Sequence, residues 1–155
     1  MSEIQAETYK AIVFRLNEHE YSIPVQHAKS IEKIKQITRV PNVPPYIKGV
    51  INLRGSIIPM LDLKARLGIG TAEFSDHTRA IICQVGSIEA GLIVDSANDV
   101  VDIPCEPGEM QAAAGEEVHE DYVAGVVKLG DRLLILVDIE QVLSHEAAGE
   151  TANGL

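Results

Sequence analysis

Apolar and polar residues alternate with a period of two through much of this chain, the pattern of half-buried strands rather than helices. Ile12, Phe14 and Leu16 alternate with their neighbours, a polar turn follows over residues 17–20, and Tyr21, Ile23 and Val25 resume the alternation. This predicts a β-hairpin. Residues 80–85, the turn Gly86-Ser87 and residues 88–94 predict a second, apolar on both strand faces. Two further hairpins are predicted, over 50–53 and 57–61 around Arg54-Gly55-Ser56, and over 123–129 and 132–137 around Gly130-Asp131. Helical signals are short. Asp62, then residues 63–67, then Gly68 read as an N-cap, a turn and a half, and a C-terminal glycine. Asp138 opens a similar stretch through Leu143, and residues 29–34 are expected to hold another helical turn. The fold class is mainly β with a few short helices.

The elements repeat. Without gaps, Gly49-Val50-Ile51-Asn52-Leu53 lies on Gly125-Val126-Val127-Lys128-Leu129, and the register continues through Ile57/Leu133, Met60/Leu136, Asp62/Asp138 and Leu67/Leu143. Upstream, Ala11-Ile12-Val13 lies on Ala80-Ile81-Ile82, Glu20 on Glu89, Ile31 on Val100 and Ile34 on Ile103. Both halves follow one order: hairpin, irregular turn, hairpin, capped helix. This implies two small β subdomains, about 9–70 and 78–145, joined by a Gly- and Ser-containing linker at 68–78. Each is marginal alone, so the halves are expected to share a core, with strand exchange between them open. Residues 9–145 are read as one domain, and 1–8 and 146–155 as flexible ends.

The chain has 155 residues, 46 % of them apolar, which suits a packed core. Its 13 Lys and Arg against 23 Asp and Glu give a formal charge of −10, which disfavours nucleic acid and anionic lipid. Much of the acidic excess falls in residues 104–121, read as a solvated loop, and in the tail. The absence of a basic-then-apolar leader or a long apolar run leads to the expectation of a cytosolic protein without membrane insertion.

No constellation supports catalysis. His19, His27, His77, His119 and His145 show no metal-ligand spacing, and the acidic loop lacks an EF-hand pattern, so neither a metal nor a cofactor is expected. Cys83 lies in an apolar strand and Cys105 precedes Glu106; neither reads as a nucleophile. Asp62 and Asp138 read as helix caps rather than a carboxylate pair. Arg54 is the residue without an evident structural duty. Gly55 supplies a turn with positive φ, whereas Arg54, whose counterpart is Gly130, reads either as a solvated or ion-paired turn residue or as an interaction-site arginine.

The run Gly49-Val50-Ile51-Asn52-Leu53-Arg54-Gly55, followed by Pro59-Met60-Leu61-Asp62-Leu63, resembles the CheW family of chemotaxis coupling proteins. The likeness extends over Thr78-Arg79-Ala80, Ala90-Gly91-Leu92 and Gly125-Val126-Val127, and covers about residues 9–144. It implies two SH3-like, five-stranded β-barrels about a shared hydrophobic core. It also implies a non-enzymatic, cytoplasmic adaptor recruited to membrane-associated receptor arrays. There it would couple the tips of methyl-accepting chemoreceptors to the regulatory domain of a CheA-type histidine kinase, with ring-forming self-association as a further expectation. Arg54, with Gly55, matches a family arginine associated with coupling. Gly91 and Val100 match positions near the groove where a receptor helix lies, and Ile31 and Val40 line or adjoin it, core packing being the alternative for each. Ser30 departs from the family's frequent Glu, and residues 111–114 lack its proline-rich character.

Overall fold

The computed structural model describes residues 8–104 and 120–144. The order is β1 (Thr8–Leu16), β2 (His19–Pro24), β3 (Ala28–Glu32), β4 (Ile47–Leu53), β5 (Ser56–Asp62), α1 (Leu63–Leu67), β6 (Arg79–Val85), β7 (Ile88–Val94), β8 (Ser96–Pro104), β9 (Val123–Leu129), β10 (Arg132–Val137) and α2 (Ile139–Val142). The four expected hairpins are all present. The helical turn expected over residues 29–34 is not: Ala28–Glu32 is strand β3, antiparallel to β6. Its counterpart Ser96–Pro104 is likewise a strand, β8, paired with β1. Neither alternates cleanly by sequence: the more buried positions of β3 include the polar Ser30 and Glu32 while Ile31 faces out, and β8 is exposed along much of its length.

Two five-stranded sheets form, ordered β8-β1-β2-β10-β9 and β3-β6-β7-β5-β4. Each takes its central hairpin from one sequence half and its other three strands from the other half. The repeat is thus built by strand exchange, and the ladders keep its register. Met60 pairs with Gly91 in the parallel β5–β7 ladder, and their counterparts Leu136 and Ser22 pair in β10–β2. The expected barrels are realised as sheets whose edge strands, among the described residues, are not joined by a ladder. In the second sheet, the segment after β3 crosses the open side and forms a single bridge, Thr38 to Val50.

The exchange explains why both strand faces are apolar. Ile12 and Phe14 of β1, with Ile81 and Cys83 of β6, point into one core between the sheets, together with Tyr21, Leu63, Leu92 and Ile139. The alternate residues enter two smaller clusters, one per sheet: Ala11 and Val13 with Leu134 and Leu136, and Ala80 and Ile82 with Ile58 and Met60.

Both helices are capped as expected. The Asp62 carboxylate is fully buried; one oxygen accepts from the Ala65 N–H at 3.3 Å and the other from the Ala72 N–H at 2.8 Å. Gly68 ends α1 in the left-handed region at φ 80°. The carboxylate of the half-buried Asp138 accepts one N–H among the described residues, that of Gln141 at 3.2 Å. Asp62→Ala strips two N–H groups of their acceptor and should cost about 2–3 kcal/mol, whereas Asp138→Ala should cost about 1 kcal/mol. Urea denaturation of the two variants checks the difference. Equal losses would mean that the contact to Ala72 contributes nothing.

Candidate interaction site

The β4–β5 turn closes at the Leu53–Ser56 pair, leaving Arg54 and Gly55 as its two central residues. Both have positive φ, 49° and 91°, as a type I′ hairpin demands, and the Asn52 Oδ1 accepts the Gly55 N–H at 3.0 Å. Glycine and asparagine suit the first of these positions; an arginine held there costs about 1 kcal/mol. In the repeat, Gly130 at φ 63° fills the equivalent place. The Arg54 side chain is 71 % exposed and meets one protein group, with its Nη2 3.3 Å from Oε2 of Glu32. So exposed an ion pair contributes at most about 1 kcal/mol. A strained backbone that presents a mostly solvated cation points to a role outside the fold.

Glu32 joins this tip to the end of β3, next to Ile31. Ile31 is 43 % exposed and its repeat counterpart on β8, Val100, 53 %. Both stand on edge strands, and β8 packs against β6, the strand to which β3 is paired. The repeat leaves a second exposed pair, Ile57 and Leu133. Apolar exposure therefore recurs at equivalent positions in both sheets.

Gly91 lies elsewhere. It is buried in β7, where a Cβ would stand 2.7 Å from Sδ of Met60 and 3.1 Å from Cδ1 of Ile82. Its contribution to any surface passes through the packing of β5 against β7. Val40 is half-buried on the segment between β3 and β4, where it lines a slot of about 410 Å3 with Ile37, Pro44, Lys48 and Phe74. The segment is pinned by two backbone hydrogen bonds between Thr38 and Val50, at 2.8 and 2.9 Å.

Three polar assemblies surround these surfaces. Arg66 of α1 lies between the rings of Tyr46 and Tyr122, 4.7 Å from each centroid. Its Nε donates to the Val142 carbonyl at 2.9 Å and its Nη2 to that of Gln141 at 3.2 Å, so it also caps α2. Lys64, buried beside it, reaches Asp95 Oδ1 and Asn17 Oδ1, each at 3.1 Å. On the other sheet Arg132 bridges Glu20 and Asp99, and those hydrogen bonds hold its guanidinium pKa above the ordinary value.

Burial pushes the Cys83 thiol up to about 12, so it carries no thiolate near neutral pH. No three of the described His, Cys, Asp and Glu side chains converge as metal ligands. Cys105, His119 and His145, with most of the acidic loop, lie outside the described residues.

The family profile described as CheW-like domain matches residues 10–147. The chain belongs to the CheW family. It is 45 % identical over 142 residues to the chemotaxis protein CheW of Bacillus subtilis, covering 90 % of this chain and 89 % of the relative. It is 34 % identical over 148 residues to the CheW of Klebsiella aerogenes, covering 94 % and 89 %. The crystal structure of a CheW scaffolding protein from Thermoanaerobacter tengcongensis superposes with a TM-score of 0.77 at 31 % identity, covering 93 % of each chain. This is a chemotaxis scaffold of the CheW kind, which couples receptors to the CheA kinase.

Within this CheW-like fold, Arg54 and Gly55 stand beside Ile31 through Glu32, and Val100 marks the equivalent edge of the other sheet. Val40 opens onto its own slot, and Gly91 sits beneath the surface. The Tyr46–Arg66–Tyr122 stack was not anticipated, although the two tyrosines are related by the same register as Gly49 and Gly125. Phe74, which is 53 % exposed and closes the Val40 slot, comes from the linker, where no periodicity marks it.

Proposed function

We propose that this protein is a non-enzymatic cytoplasmic bracket that engages a chemoreceptor tip and a CheA-type kinase regulatory domain through separate surfaces. Arg54 is its coupling residue. The observation that carries this reading is the positive φ of Arg54, 49°, under an exposed side chain with one weak partner among the described residues. Ile31 and Val100, each exposed on an edge strand, suit contact with the apolar face of a receptor helix. Gly91 supports that surface by letting β5 and β7 approach. No bond is made or broken. The adaptor alters kinase activity because the assembled complex favours one kinase state through differential binding. Among the described residues no helix is long and apolar enough to cross a membrane, in keeping with attachment through the receptor.

Arg54→Ala should leave the circular dichroism spectrum and melting temperature unchanged, and lower receptor-controlled kinase activity in reconstituted complexes about tenfold. The same assay tests the whole reading. A wild-type protein that co-sediments with neither receptor-containing membranes nor the kinase ends it, and an Arg54→Ala chain that unfolds makes the residue structural.

A further inference from the structure

The net charge of −10 hides a strongly uneven distribution. Six of the 13 Lys and Arg (Lys29, Lys33, Lys35, Arg39, Lys48 and Arg54) fall between residues 29 and 54, with Glu32 as the one acidic residue in that span. Lys29 is paired with Glu89 at 2.9 Å and Arg54 with Glu32 at 3.3 Å. No carboxylate among the described residues lies in ion-pair reach of Lys33, Lys35, Arg39 or Lys48. The first three of these are exposed. Arg39 and Lys48 also line the slot with Val40, Ile37 and Phe74, so unneutralised cations and apolar side chains share one recess open to solvent.

We infer that this face receives an acidic segment of the receptor, with an apolar side chain seated in the Val40–Phe74 slot and flanking carboxylates on Lys33, Lys35, Arg39 and Lys48. The inference rests on the proposed function for the identity of the partner and adds the chemistry by which it is recognised. Charge complementarity selects the occupant. An acidic segment is repelled by most of this acidic molecule and attracted to one face, which orients encounter and raises the association rate. Continuity selects the receptor over the kinase, because the basic segment continues directly from β3, where Ile31 is exposed, and is tied to the Arg54 tip through Glu32. A recess of about 410 Å3 has ample room for a bulky side chain, which a flat lipid surface does not supply.

The test measures binding of a soluble receptor cytoplasmic fragment and of an isolated kinase regulatory domain, each over a range of salt, to the wild-type chain and to K33E/K35E/R39E. These positions are exposed, and an unchanged melting temperature confirms that the variant is folded. Expected are a loss of roughly tenfold or more in receptor affinity, a flatter salt dependence, and unchanged affinity for the kinase domain. A second variant, Phe74→Ser, should weaken receptor binding without changing its salt slope. Unchanged receptor affinity in both variants overturns the inference. So does a loss confined to the kinase domain, to self-association, or to vesicles of anionic lipid, each of which reassigns the face. A wild-type chain that binds neither partner ends the proposed function as well, and that result differs from a variant that binds as wild type.

Discussion

Gly49→Ala is expected to destabilise the protein by about 3 kcal/mol or more. Two costs coincide at this residue. Its φ is 146°, which L-residues rarely adopt, and the added Cβ would stand 2.1 Å from the Thr38 carbonyl oxygen and 2.8 Å from Cγ2 of Ile37. Neither neighbour is free to retreat. The Thr38 oxygen accepts the Val50 N–H at 2.8 Å, and Ile37 packs on the small core around Ile58 and Met60. Relief requires the segment after β3 to lift from β4, which breaks the Thr38–Val50 bridge and uncovers that core. Gly55→Ala is the control: its φ of 91° is also positive, but nothing lies within 4 Å of the added carbon, so the cost should be about 1 kcal/mol. Denaturant unfolding of both variants decides the matter, and a Gly49→Ala chain within about 0.5 kcal/mol of wild type would refute the crowding argument.

Arg66→Leu is expected to cost about 3 kcal/mol, although the leucine retains the stem's apolar contacts. The substitution removes a guanidinium from between two rings and two charged hydrogen bonds from the C-terminal carbonyls of α2. Arg66→Lys should recover less than half of this. An ammonium retains the charge, but it cannot stack flat on both rings while donating to two carbonyls. Because both rings share one cation, Arg66→Leu and Tyr122→Leu should be non-additive in a double-mutant cycle. Strict additivity would show that the Tyr122 ring contributes nothing to what Arg66 stabilises.

Hairpins and caps were legible in the sequence because their causes are local. Turn glycines, alternating β-branched residues, and an aspartate ahead of a short apolar run act within a few residues. The edge strands β3 and β8 were not legible. In residues 29–34 the half-buried positions of β3 are the polar Ser30 and Glu32 while Ile31 is exposed, so the apolar–polar alternation of a half-buried strand is missing and the pattern predicts a helical turn. Pairing of β3 with β6, some 50 residues on, overrides that local preference. At the site, the motif pointed to Arg54 and Gly55, and the turn geometry explains why that arginine is unusual. The resemblance links Gly91 with the groove, yet its surroundings are Met60 and Ile82; the β6–β7 hairpin brings Ile82, whereas Met60 comes close only when β5 and β7 align in parallel. The Arg66 stack has no local signature because its members come from three separate segments of the chain. Only the spacing between Tyr46 and Tyr122 hinted at their meeting.

The exchange of strands between the two sheets has a mechanical consequence. The chain passes from β2 to β3 through the three-residue turn Val25–His27, and from β7 to β8 through Asp95 alone. Neither link has slack for a hinge. Each sheet also takes its central hairpin from one half and its flanking strands from the other, so pulling the two halves of the chain apart means unzipping ladders in both sheets together. A cut in the 68–78 linker would therefore yield two pieces that fold only in each other's company. For a scaffold, such a build sets a fixed pitch: whatever is bound on one sheet is held at a constant distance and angle from whatever is bound on the other.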